Sequence, residues 1–357
     1  MGHRWLFAGL NSHGIVPSTA KDVRRYTQIS ESSHDEGTAF VCWSQVVMVF
    51  EGRLVAKGIS ASTIEVAEGH TFGTPFGDHN GIIGSLDTDG RLLLVEDREI
   101  SPLKLSLVSQ EDSPRVAAVA ISGNGRIALA LNQMPQAGRI HIHEFSDLHH
   151  LGAWYTNPSD PQHQPAEQHS ISGQLKQLTA NSTIFICLTD TGEVYTWGDG
   201  RYQALGRSIN QPADTPAIQP GLVETLGGIK VTKISANGWS IAALSEDKAV
   251  YLFSSSTPGN EHAFRMTKDA QAEEMGLVDI PDAAGEPRDF DDVAVGDGHV
   301  LVLCTSGAVF AAGDNRNGQL GLEGYVEHVG EWTEVMPYGC SAIVAGPKSS
   351  LIRMAAS

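Results

Sequence analysis

Short apolar runs alternate along the chain with polar stretches punctuated by glycine, and the clearest unit of that pattern runs from Leu178 to Gly206. Its first run, Ile184 to Leu188, is rich in β-branched and aromatic residues and predicts a buried strand. The bend Thr189-Asp190-Thr191-Gly192 predicts a tight hairpin whose glycine supplies positive φ without steric cost. The next run alternates, with Val194 and Thr196 on one side and Tyr195 and Trp197 on the other. It predicts a strand whose two faces meet different neighbours. After Trp197-Gly198 a polar loop leads to Ala204-Leu205-Gly206, where small residues let the chain turn closely past its own sheet.

The same pattern returns without a gap at Ile234 to Ser254 and at Val293 to Gly321. Leu188, Leu244 and Leu303 coincide, as do Val194, Val250 and Val309, and Tyr195, Tyr251 and Phe310. The turn position holds Gly192, Lys248 and Gly307, so the lysine breaks the glycine rule. Weaker copies lie upstream: Phe40 to Gly58, whose Gly52 and Gly58 match Gly192 and Gly198; Ile82 to Val95, with Asp89-Gly90 at the turn; and Val116 to Phe145. Trp5 to Gly14 reads as the second half of a unit, and Ser341 to Met354 as a first half. Joining the two ends in one sheet would close a ring and remove exposed strand edges. The count is seven units, with six as the alternative, and an uninterrupted array of this kind reads as one domain over 1–357.

The stretch Ala312-Gly313-Asp314-Asn315-Arg316-Asn317-Gly318-Gln319-Leu320-Gly321 resembles the closing motif W-G-x-N-x-x-G-Q-L-G of the regulator of chromosome condensation repeat family. Trp197 to Gly206 is similar to it but lacks the asparagine and reads Gln203-Ala204 where the motif has Gly-Gln. The resemblance implies an all-β, seven-bladed β-propeller of four-stranded antiparallel blades, closed by pairing of the N- and C-terminal strands. Compact members of the family that the chain resembles pair with protein partners. One type, the α-tubulin suppressor type, pairs with a small zinc-binding protein in diphthamide synthesis and wobble-uridine tRNA modification. Another binds a Jumonji-type hydroxylase. The founding member acts as a guanine-nucleotide exchange factor on the small GTPase Ran.

Composition narrows the function. The formal net charge of −18 opposes direct nucleic-acid binding, which rests on Lys and Arg neutralising phosphates. Cys42, Cys187, Cys304 and Cys340 stand singly, as buried free thiols of a reducing compartment do. The N-terminus has no signal-peptide apolar core, and no stretch approaches the roughly 20 apolar residues of a membrane span. A cytoplasmic or nuclear protein is expected, with no basic cluster to choose between them. Two segments, 148–174 and 254–292, depart from the repeat and are expected to be exposed, mobile loop insertions. The first is proline-punctuated and carries four histidines. The second holds nine acidic residues against Arg288 from Asp269 onward.

Candidate chemistry is sparse. His141 and His143 share a strand face, but no third metal ligand has a recognisable spacing. Gly123-x-Gly125 lacks the strand and helix context of a nucleotide cradle, and no G-x-S-x-G elbow is present. No catalytic residue, cofactor or metal is therefore expected. The expected activity is a non-catalytic protein-interaction scaffold, with exchange on a Ran-like GTPase as the alternative. The candidate partner-binding residues are Arg201 and Arg316, equivalent in their loops, together with Trp239 and His299 just before the first strand of their units. The competing reading packs Trp239 between blades and has each arginine brace its own turn.

Overall fold

The computed structural model describes residues 3–32, 38–50, 53–59, 63–66, 72–96, 104–108, 113–132, 138–201, 205–254, 275–324 and 326–355. Seven four-stranded antiparallel blades stand around one axis. Blade five shows how the sequence builds them. Its strands are Leu175–Ala180, Ile184–Thr189, Val194–Gly198 and the short Gly221–Leu222. Every residue of Ile184–Thr189 is buried. Ile184, Ile186 and Leu188 pack with Val231, Ile234 and Ile241 of blade six. Phe185 and Cys187 pack with Ala128, Ile140 and Ile142 of blade four, alongside Trp197. The period-two alternation thus divides one strand between two neighbours. Apolar clusters of this kind fill each of the seven gaps between adjacent blades.

The ring closes as the terminal halves predict. His3–Gly9 pairs antiparallel with Ser349–Met354, Arg4 opposite Met354 and Gly9 opposite Ser349. Val23–Ser32 and Cys340–Ala345 complete that blade on its outer and inner sides. The glycine at the end of the third strand has a steric role. Gly9, Gly58, Gly198 and Gly313 all have φ between 103° and 137°. A Cβ at these positions would collide with the backbone oxygens of Lys348, Ser44, Thr183 and Gly298 respectively. Each of these glycines lets its strand pass close against the turn that opens its blade.

Two features depart from expectation. Blades two and three are joined at their outer edges, where Thr63–Val66 and Lys104–Leu107 pair in parallel and make one eight-stranded sheet. The segment 148–174 is not a loop insertion. It contains an α-helix, α1, Leu148–Thr156, then a short 3-10 turn at Pro161–His163 and the fourth strand of blade four, Glu167–Ser172. Asp147 caps α1 by accepting from the His150 N–H at 2.8 Å. Leu151, Trp154 and Tyr155, spaced i, i+3, i+4, are buried against Phe76, Leu92 and Phe145 between blades three and four. The Tyr155 hydroxyl donates to the Pro114 carbonyl at 2.9 Å and accepts from the Leu92 N–H at 3.2 Å. The prolines mark only the return of the chain; the apolar triplet ahead of them decides the packing. Of 254–292, residues 255–274 lie outside the described residues. Gly276–Leu277 is the fourth strand of blade six, Val278 and Ile280 are core, and Phe290–Val295 opens blade seven. Among the described residues no helix is long and apolar enough to cross a membrane.

Candidate functional site

In each blade the turn between the first two strands lies at the same end as the loop that follows the third strand, because the second and third strands are antiparallel. Ile184 faces Gly198 and His299 faces Gly313 across these ladders. The turns converge on the axis around a cavity of about 630 Å³. Trp43, His79, Asn124, Asn181, Trp239 and Asp297 line it from blades two to seven, and Pro347 adds blade one. Backbone bonds tie turn to turn. Trp43 N–H donates to the His79 carbonyl at 3.1 Å, Gly123 N–H to Asn181 at 3.1 Å, Ser182 N–H to Gly238 at 2.8 Å, and Asp297 N–H to Pro347 at 3.2 Å. Each turn is also braced internally. Asp78 Oδ1 accepts from the N–H groups of Asn80 and Gly81 at 2.8 and 3.1 Å. Asn181 Oδ1 accepts from those of Thr183 and Ile184 at 3.0 and 2.9 Å. The result is a collar of loops held on a rigid scaffold, the usual place for recognition.

Two indoles mark this mouth. Trp43 is 41% exposed and lies against His79 with ring centroids 5.1 Å apart. Trp239 is half-buried and lines the same cavity. Sequence reasoning singled out Trp239 and passed over Trp43 and His79. The signal was present, since Phe40 to Gly58 aligns with the later units and places Trp43 in the turn equivalent to that of Trp239.

Arg201 and Arg316 lie in the loops at this same end, exposed on their side chains by 77% and 64%. Each repeats one geometry. The Arg201 N–H donates to Asp199 Oδ1 at 3.0 Å and its guanidinium forks onto both carboxylate oxygens. The Arg316 N–H donates to Asp314 Oδ1 at 3.1 Å, with Nε and Nη2 each at 2.9 Å from that carboxylate. The Arg201 hydrogen bond holds the Asp199 carboxyl below its usual range. Burial pushes Asp314 up, but its bonds to Arg316 outweigh this and leave it lowered. Both arginines therefore brace their own turns while presenting exposed edges. Lys348 adds a further cation, 3.0 Å from Asp297 and 3.6 Å from Asp314.

His299 is not on the rim. It is 1% exposed, its Nε2 lies 3.1 Å from Ser350 Oγ across the seam with the closing blade, and its Nδ1 has no partner among the described residues. The repeat explains the burial, because the equivalent positions hold Ile184 and Ser240, both buried. The slot belongs to the blade interior, and the imidazole is fitted into it. Burial, and then Lys348, lowers its pKa from 6.5 to about 4, against the opposing pull of Asp314 and Asp297.

The motif asparagine is structural. Asn315 is fully buried, its Oδ1 accepting from the Leu320 N–H at 3.0 Å and its Nδ2 donating to the Val326 carbonyl at 3.0 Å. Asn11 plays the same part in blade one, accepting from the Val16 N–H at 2.8 Å. The loop then docks on the next blade through Asn317 Nδ2 to Asp22 and Arg24 Nη2 to the Arg316 carbonyl. Between blades four and five, Glu144, 1% exposed, accepts from His169 Nε2 and Trp197 Nε1, both at 2.6 Å, and pairs with Arg126. The four cysteines are free and buried; burial pushes the thiols of Cys187 and Cys340 up to about 12 and that of Cys304 to about 11. Among the described residues no group of three or more His, Cys, Asp or Glu is placed to hold a metal ion.

The family models for the regulator of chromosome condensation (RCC1) repeat match residues 191–244 and 290–319. The mouse RCC1 domain-containing protein 1 is 26% identical over 200 residues, 47% of this chain and 50% of that protein. The regulator of chromosome condensation of Xenopus laevis is 28% identical over 152 residues, 43% of this chain and 34% of that protein. The chain thus spans half or less of the length of these curated relatives. Prp20p from Saccharomyces cerevisiae superposes on 100% of this chain and 92% of its own with a TM-score of 0.70 at 13% identity, a likeness of fold. The repeat of the regulator of chromosome condensation family is thus matched in blades five, six and seven of a closed seven-bladed ring.

Proposed function

We propose that the protein is a non-catalytic interaction scaffold that holds a protein partner on the turn-bearing end of the ring. The observation that carries this reading is the collar of hydrogen-bonded turns around a cavity of about 630 Å³, with Trp43 and Trp239 at its mouth and Arg201 and Arg316 in the loops beside it. Tryptophan and arginine are the side chains that most often dominate interface energy, at about 2 kcal/mol or more when truncated at a hot spot. Prp20p, whose fold the chain shares, is described as binding Gsp1p and histones and as bound by Kap60, which accords with a protein-binding role. A small zinc-binding protein, a Jumonji-type hydroxylase and a small GTPase remain the partner classes to test, in cytoplasm or nucleus.

The test is affinity capture from native cells with wild type and with Trp43→Ala, Arg201→Ala, Trp239→Ala and Arg316→Ala, each checked by thermal melting. Loss of one shared partner in folded variants is the expected result. Unchanged capture by all four would remove this end of the ring as the site. A nucleotide-release assay on a small GTPase runs in parallel, and accelerated release would replace the scaffold reading with the exchange-factor one.

A further inference from the structure

We infer that the cavity at the mouth of the ring receives a lysine or arginine side chain from a basic peptide segment of the partner. This rests on the scaffold reading and specifies its chemistry. The cavity has the volume of a small-ligand pocket, about 630 Å³. Its charged lining residues are Asp78 and Asp297, and none of the described lining residues is Lys or Arg. Two indoles and the His79 ring stand at the same mouth, and the face of an indole attracts a cation through its quadrupole.

The cations around the mouth are already paired. Arg201 forks onto Asp199, Arg316 onto Asp314, and Lys348 lies between Asp297 and Asp314. An anionic ligand, nucleic acid included, would have to break these pairs. A cationic ligand meets a mouth where, among these described residues, the four carboxylates of Asp78, Asp199, Asp297 and Asp314 stand against the three cations of Arg201, Arg316 and Lys348, in a chain of net charge −18.

A second, independent observation favours a peptide over a free amine. Asn181, 4% exposed, and Thr183 line the cavity, and the Asn181 Nδ2 and Thr183 Oγ1 atoms are buried without a hydrogen-bond partner. A buried amide N–H left unpaired is costly, and it calls for an acceptor. A peptide carbonyl flanking the cationic side chain supplies one. The aromatic rings, the carboxylates and the leftover amide donor match the three parts of a basic residue in a chain: its stem, its charge and its backbone.

The probes are two fluorescein-labelled decapeptides, one alternating arginine with glycine and serine and the other carrying glutamate in place of arginine, read by fluorescence polarisation against the whole protein. The arginine peptide is expected to bind and the glutamate peptide not. Asp78→Asn keeps the carbonyl acceptor that braces its turn while removing the charge, and Asp297→Asn removes the charge that Lys348 shares with Asp314. Each is expected to weaken binding by about tenfold, as is Trp43→Ala. Glu246→Gln, which removes one exposed charge at the opposite end of blade six, controls for the overall negative field. Equal weakening by this control, or unchanged binding in both aspartate variants and in Trp43→Ala, overturns the proposal. So does binding of the glutamate peptide as tightly as the arginine one. If the peptides fail in these ways while native capture is still lost in Trp43→Ala, the scaffold reading stands and only the cationic specificity falls.

Discussion

The buried imidazole of His299 makes the seam between blade seven and the closing blade sensitive to acid, and the size of the effect follows from its surroundings. Burial, with Lys348 nearby, takes its pKa from 6.5 to about 4 in the folded protein. The unfolded chain therefore binds a proton below pH 6.5 that the folded chain refuses until about pH 4. The stability from this group is fully present above pH 6.5, falls as pH drops through that window and levels off below about 4. Between about pH 7 and about pH 4.5 the linkage relation gives a loss of ~2 kcal/mol. That is a sizeable part of the 5–15 kcal/mol typical of a domain, so it is about large enough to measure cleanly. His299→Gln keeps a polar group of similar reach toward Ser350 and cannot titrate. Depressed carboxylates such as Asp199 and Asp314 also lose stability in acid, so the quantity to read is the difference between wild type and variant. Urea unfolding followed by tryptophan fluorescence at the two pH values should show wild type losing ~2 kcal/mol more than His299→Gln. Equal losses in the two proteins would refute the argument that the imidazole is held neutral by burial.

Three other expectations follow from the packing. Truncation after Gly339 removes Cys340–Ala345 and Ser349–Met354 and with them the buried Cys340, Ile343, Leu351 and Ile352. At about 1.5–3 kcal/mol for each buried aliphatic side chain the loss rivals the stability of a whole domain, so the truncated chain should show no cooperative melt; a full-length melting temperature would contradict ring closure as the source of stability. Lys248 has φ 65°, where Gly192 and Gly307 stand in the equivalent turns, and its ion pair with Asp291 is half-exposed on both sides. Lys248→Gly should stabilise by ~1 kcal/mol, and a lower urea midpoint would show that the pair outweighs the strained backbone. Glu144→Leu strands Arg126, His169 and Trp197 without their shared acceptor and should cost ~3–5 kcal/mol; a variant that melts with wild type would mean the network is dispensable.

The local grammar of this protein was legible in its sequence. Strand periodicity, the glycine turns and the matched ends at Trp5 to Gly14 and Ser341 to Met354 all carry their signal within a few residues. Each blade is a local hairpin array, so the repeat and the ring closure could be read without knowing what the blades touch. The α1 helix was hidden by the prolines that follow it, since Leu151, Trp154 and Tyr155 become an apolar face only against Phe76 and Leu92, which lie far away in the chain. His299 looked like a rim residue because histidine is polar; the burial of Ile184 and Ser240 in the same slot shows that position in the blade, rather than residue type, sets its exposure. Trp43 and His79 come from different blades and meet only because the ring brings successive turns side by side. The sequence by itself determined the inner strands, their turns and the repeat pattern, because these depend on neighbours along the chain. The cavity, its collar and the pairing of its charges were decided by tertiary structure alone, because they are made of residues that only the closed ring places within reach of one another.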